Sequence, residues 1–100
     1  MTSVLVVDDE PSYTDALSVS LRREGFSVTA VGDGPAALQA FESDPPDLVL
    51  LDVMLPGMSG VDVCRQIRQV SSVPVIMLTE RGEEIDAVVG LEVGADDYVT

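Results

Sequence analysis

Two short stretches carry the residues that could do chemistry. Asp8, Asp9 and Glu10 follow directly on the apolar run Val4-Leu5-Val6-Val7, and Asp52 interrupts an apolar stretch, after Leu48-Val49-Leu50-Leu51 and before Val53-Met54-Leu55. If the two runs are neighbouring strands, at least three carboxylates face one crevice. Two like charges about 4 Å apart repel by roughly 4 kcal/mol at an effective dielectric of 20, so such a cluster must take up protons or hold a cation. Hard carboxylate oxygens without imidazole or thiolate select magnesium or calcium. A small open site at strand ends suits magnesium, which keeps several waters, and the spacing is wrong for an EF-hand loop. One acid at a strand end is ordinarily a solvated turn former. Asp52 differs, because a carboxylate embedded in apolar sequence must be paired, metal-bound or reactive.

The rest of the composition removes alternatives. The chain has no histidine, and its five basic residues are all arginines: Arg22, Arg23, Arg65, Arg68 and Arg81. Histidine triads, histidine metal sites and lysine Schiff bases are therefore excluded. A net charge of −13 over 100 residues repels nucleic acid and anionic membrane, so DNA contact would need another domain. With 46% hydrophobic residues the chain can build one core, yet no apolar run nears the roughly 18 residues that cross a bilayer. A single cysteine, Cys64, is expected in helix packing, and no basic leader precedes an apolar stretch. These features together predict one cytoplasmic domain over residues 1–100 with no membrane partner.

Positioning the carboxylates requires an alternation of strands and helices. Val4–Val7, Leu48–Leu51 and Val75–Leu78 are continuous apolar runs, as parallel strands buried on both faces require, whereas the alternating Phe26–Val31 suits an edge. Pro11 suits the first turn of a helix with Tyr13, Ala16, Leu17 and Leu21 facing inward, Arg22 and Arg23 at its negative end and Gly25 as its stop. Pro35 opens a second helix with Ala37, Leu38 and Phe41 inward. Ser59 and Asp62 resemble a capping box for a third, running through Val63, Ile67 and Val70. A fourth helix is expected from about residue 82 to 93, weakened by Gly90, and a fifth strand from Asp97. Strands alternating with helices predict a doubly wound α/β fold with a parallel five-stranded sheet, whose ligands bind outside the carboxyl ends of the strands.

The motifs VVDDE, LVLLDVMLPGMSG, VPVIMLTE and GADDYV, in this order and spacing, closely resemble a response-regulator receiver domain of two-component signalling. The resemblance spans essentially all 100 residues and is nearest to the subclass fused to winged-helix DNA-binding domains. It implies a flavodoxin-like sheet of order 2-1-3-4-5. It also implies that Asp52 accepts a phosphoryl group from a phosphohistidine on a sensor histidine kinase, so the donor histidine belongs to the partner. By the same resemblance, Asp9, Asp52 and the backbone carbonyl of Met54 ligate Mg²⁺, with Asp8 acting through a bound water. Thr79 would hydrogen-bond a phosphoryl oxygen, Tyr98 would be the aromatic switch, and Pro56 and Gly57 would shape the loop beside the nucleophile. The domain would be a phosphoacceptor that assists its own phosphotransfer rather than a turnover enzyme, and would switch a homodimer that controls transcription.

Two features depart from the family pattern. The family's phosphoryl-contacting lysine is absent, since the chain has no lysine and reaches Thr100 where that residue would come next; the last helix is missing as well. We expect a piece of a longer chain, whose bare sheet face invites dimerisation or segment exchange. Glu80 stands beside Thr79 where the family usually has a small residue, and a carboxylate there would add repulsion at the phosphoryl site. The alternative reading is a degenerate receiver acting as a protein-interaction module without phosphorylation. An aspartate-nucleophile phosphatase is disfavoured, because that class needs a second acid where this chain has Met54.

Overall fold

Continuous β-branched and leucine runs do form the centre of the molecule. The computed structural model describes residues 2–78 and the backbone of residues 97–99. In chain order these build β1 (Ser3–Val7), α1 (Pro11–Arg23), β2 (Ser27–Val31), α2 (Gly34–Ser43), β3 (Leu48–Asp52), α3 (Gly60–Val70), β4 (Val75–Leu78) and β5 (Asp97–Val99). The strands form one parallel sheet in the order β2-β1-β3-β4-β5, the expected doubly wound arrangement. The alternating segment is at the edge as predicted, and its polar positions Ser27 and Thr29 are exposed. The expected helix over residues 82–93 lies outside the described residues.

Strand alternation sorts the core into two layers. Leu5, Val7, Val49, Leu51, Val75 and Met77 pack with Ala37 and Phe41 of α2 and with Val63, Cys64 and Ile67 of α3. Val4, Val6 and Leu50 face the other side, against Leu17 and Leu21 of α1. Cys64 is fully buried, in agreement with a packing role.

The helix ends follow local chemistry. Pro11 occupies the first turn of α1, Arg22 and Arg23 its last, and Gly25 takes φ +93°, a left-handed conformation that side chains other than glycine resist. Asp33, unforeseen in the sequence, caps α2 by accepting a hydrogen bond from the Ala36 amide at 2.7 Å. Ser59 caps α3 through the Asp62 amide at 3.2 Å, while Asp62 turns to Arg65 at 3.4 Å. Val70, although in register with Val63 and Ile67, is 77% exposed at the end of the helix.

One helix face departs from expectation. Ala16 is exposed, and Thr14 and Ser18 are buried beside Leu17 and Leu21. The Thr14 hydroxyl donates to the Pro11 carbonyl at 3.0 Å, so its polarity is satisfied within the first turn and it can face the sheet.

Candidate functional site at the carboxyl ends of the central strands

The parallel register decides where the acids meet. Val7 pairs with Leu51, so the residues that follow, Asp8 and Asp52, leave adjacent strands at the same end. One carboxylate oxygen from each of Asp8, Asp9 and Asp52 lies within 4.8 Å of the other two. Asp8 is buried, Asp52 half-buried and Asp9 exposed, so the cluster opens to solvent on the Asp9 side.

Each strand end turns its carboxylate back onto its own loop. The Glu10 amide donates to Asp8 Oδ1 at 2.9 Å, and the Met54 amide donates to Asp52 Oδ1 at 3.1 Å. These Asx-type bonds orient both side chains at the crevice. Neighbouring strands hold the loop backbones, with Asp8 N–H donating to the Val31 carbonyl and Val53 N–H to the Leu78 carbonyl, both at 3.1 Å. Glu10 stands outside the cluster. It precedes α1 and accepts a hydrogen bond from the Ser12 hydroxyl at 2.9 Å, consistent with a role in starting the helix.

An ionised pair at this separation repels by about 3–4 kcal/mol at an effective dielectric near 20, less for exposed Asp9, which water screens. Among the described residues, Arg65 pairs with Asp62 on α3 at 3.4 Å. Three carboxylates with no nitrogen or sulfur donor fit a hard divalent cation, and the open side leaves room for the waters that magnesium retains.

The other expected site residues have different fates. Met54 follows Asp52 on the same loop and is exposed. Gly57 adopts φ +77°, the turn conformation expected of the loop that follows Asp52. Thr79, Glu80 and Arg81 lie outside the described residues. The backbone of Tyr98 is in β5, paired with Met77 of β4 in the sheet that carries Asp52. A contributor that sequence reasoning passed over is Gly60, the first residue of α3. A Cβ on it would stand 2.0 Å from the Asp52 carbonyl oxygen. Only the motif LPGMSG hinted at its place.

Known proteins resemble this chain in sequence and fold. Residues 4–100 match the response regulator receiver domain family. The sensory transduction protein RegX3 of Mycolicibacterium smegmatis is 67% identical over 100 residues, covering 100% of this chain and 44% of the relative. The DNA-binding response regulator MtrA of the same species is 56% identical over 96 residues, covering 96% of this chain and 42% of the relative. This chain thus spans less than half the length of these relatives. Among solved structures, the BeF3-activated N-terminal receiver domain of Klebsiella pneumoniae RstA superposes with a TM-score of 0.94 at 32% identity, covering 98% of this chain and 84% of that one. Among the described residues no helix is long and apolar enough to cross a membrane. With the doubly wound sheet, the acidic crevice at its switch point and the family match over residues 4–100, the chain belongs to the response-regulator receiver domains of two-component signalling.

Proposed function

We propose that this receiver domain is a phosphoacceptor switch in which Asp52 takes a phosphoryl group from a phosphohistidine of a sensor kinase. The observation that carries this reading is the meeting of Asp8, Asp9 and Asp52 within 4.8 Å at the ends of two adjacent strands. In the transfer, an Asp52 carboxylate oxygen forms the new bond to phosphorus as the phosphorus–nitrogen bond breaks. The imidazole leaves with the electron pair and takes a proton from solvent. The Met54 amide, donating to Asp52 Oδ1, orients the carboxylate for this attack.

Asp9 and Asp52, with the Met54 carbonyl, would hold Mg²⁺ directly, and buried Asp8 would hold it through water. A bound magnesium ion supplies charge neutralisation between the acceptor and the transferring phosphoryl oxygens. Thr79 and Tyr98 are proposed to relay the modification, Thr79 by a hydrogen bond to the phosphoryl group and Tyr98 by rotation of its ring. The protein is not a turnover enzyme, since its product is its own aspartyl phosphate. By likeness to the relatives named above, the output is transcription control by a homodimer through a DNA-binding region outside these residues, in the cytoplasm.

Incubating the full-length protein with Mg²⁺ and acetyl phosphate tests the proposal. Intact-mass measurement should show one added phosphoryl group, absent in Asp52→Asn. Failure to gain mass, or equal gain in the variant, would favour the alternative of an interaction module that works without phosphorylation.

A further inference from the structure

Gly60 stands at the junction of α3 and the nucleophile's own peptide. Its φ is not in the left-handed region, so glycine is not required there by backbone conformation. Space requires it. A Cβ at this position would lie 2.0 Å from the Asp52 carbonyl oxygen and 2.9 Å from both the Asp52 carbonyl carbon and Val53 Cα. These are backbone atoms, which cannot rotate away, and the separations are far inside the roughly 3.5 Å at which non-bonded atoms rest.

The Asp52–Val53 peptide is gripped from two directions. On one side the Val53 amide donates to the Leu78 carbonyl of β4 at 3.1 Å, and on the other the Val53 carbonyl accepts from the Gly60 amide at 2.9 Å. The loop between Val53 and Gly60 is thereby closed, with α3 seated directly on the end of β3. The Met54 amide, next along the gripped segment, is the donor that orients Asp52 Oδ1. Any side chain on residue 60 must push this peptide away from α3 or lift the first turn of the helix, and both movements carry the Met54 amide and carbonyl with them.

We infer that Gly60 is a positioning residue for the phosphoacceptor site: its missing side chain lets α3 press on the Asp52–Val53 peptide and so fixes the Asp52 carboxylate and the Met54 backbone. This rests on the reading of Asp52 and Met54 given above. A merely structural glycine would lower stability without changing the site, and the two roles can be told apart with Val63→Ala. Val63 is a fully buried residue of the same helix, facing the core rather than the site.

The test compares full-length wild type, Gly60→Ala and Val63→Ala in two measurements. Without any divalent ion, the Met54 amide is followed by NMR for chemical shift and hydrogen exchange. Gly60→Ala should shift it and raise its exchange at least tenfold, while Val63→Ala should leave both near wild type. Mg²⁺ titration of the same proteins should show at least tenfold weaker binding in Gly60→Ala and less than twofold change in Val63→Ala. An unaltered Met54 amide in Gly60→Ala, or equal changes in both variants, overturns the inference. Should wild type bind no Mg²⁺, the proposed function falls while the Met54 amide still decides the role of Gly60. If Gly60→Ala does not fold, Ser59→Gly, which removes the cap holding the first turn of α3, should move the Met54 amide in the same direction by less. No movement there overturns the inference as well.

Discussion

Aspartates stand at both ends of the paired strands β1 and β3, Asp47 before β3 and Asp8 and Asp52 at the carboxyl ends, and the two ends treat them oppositely. At the amino end Asp47 is tied down: its Oδ2 accepts from the Ser3 amide at 2.8 Å and the Ser3 hydroxyl at 3.3 Å, while its own amide donates to the Ser3 carbonyl at 2.9 Å. One carboxylate bridges the starts of two neighbouring strands. At the carboxyl end three carboxylates crowd within 4.8 Å, where they repel. The same residue type thus fastens the sheet at one end and gathers like charges at the other. Sites for ligands sit where a fold tolerates such local conflict, compensated by consistent packing elsewhere.

Asp52→Asn is the sharpest way to break this contrast. It should abolish phosphoryl incorporation from acetyl phosphate, read by intact mass, while near-native circular dichroism shows that the fold persists. Asp8→Asn tests whether the crowded end is under strain. With no divalent ion it should raise stability by about 1–2 kcal/mol, because one like charge is removed and an asparagine oxygen can still accept from the Glu10 amide. For a domain of this size that corresponds to a rise of roughly 4–15 °C in Tm, and Mg²⁺ affinity should fall at the same time. At the fastened end the sign reverses. Asp47→Ala should cost about 1 kcal/mol in urea unfolding by loss of exposed hydrogen bonds, with Mg²⁺ affinity unchanged. Ser3→Ala, which spares the backbone contacts, should cost about 0.5 kcal/mol by the same measurement. A stabilising Asp47→Ala or a destabilising Asp8→Asn would collapse the distinction between the two ends.

The strands and the acidic crevice were legible in the sequence for a physical reason. Parallel strands covered on both faces need unbroken apolar runs, so an acid ending such a run is conspicuous, and Asp8 and Asp52 could be found without coordinates. The inner face of α1 was less legible. Thr14 and Ser18 read as polar, yet Thr14 satisfies its hydroxyl on the Pro11 carbonyl and can be buried, while apolar Ala16 points to solvent. Periodicity weighs polarity and does not register a side chain that bonds its own helix. Asp33 was missed as a cap although its position just before Gly34-Pro35 marked it. The motif LPGMSG marked the place of Gly60 but not its crowding. That crowding is a contact between α3 and β3 created by tertiary packing, and a glycine in a sequence shows only that a side chain is absent.

The order of the sheet also has a kinetic consequence. β1 lies between β2 and β3, and the bond from Ser3 to Asp47 joins residues 44 positions apart, the same separation as Asp8 and Asp52. The two halves of the crevice meet only in a chain that has closed this loop. Doubling a loop adds only about 0.6 kcal/mol to the entropy of closure, so the long separation weighs on the speed of folding more than on its equilibrium. A ligand held by all three carboxylates can grip only once β1 and β3 are side by side. If that pairing forms after the folding barrier, such a ligand slows unfolding and leaves the rate of refolding untouched.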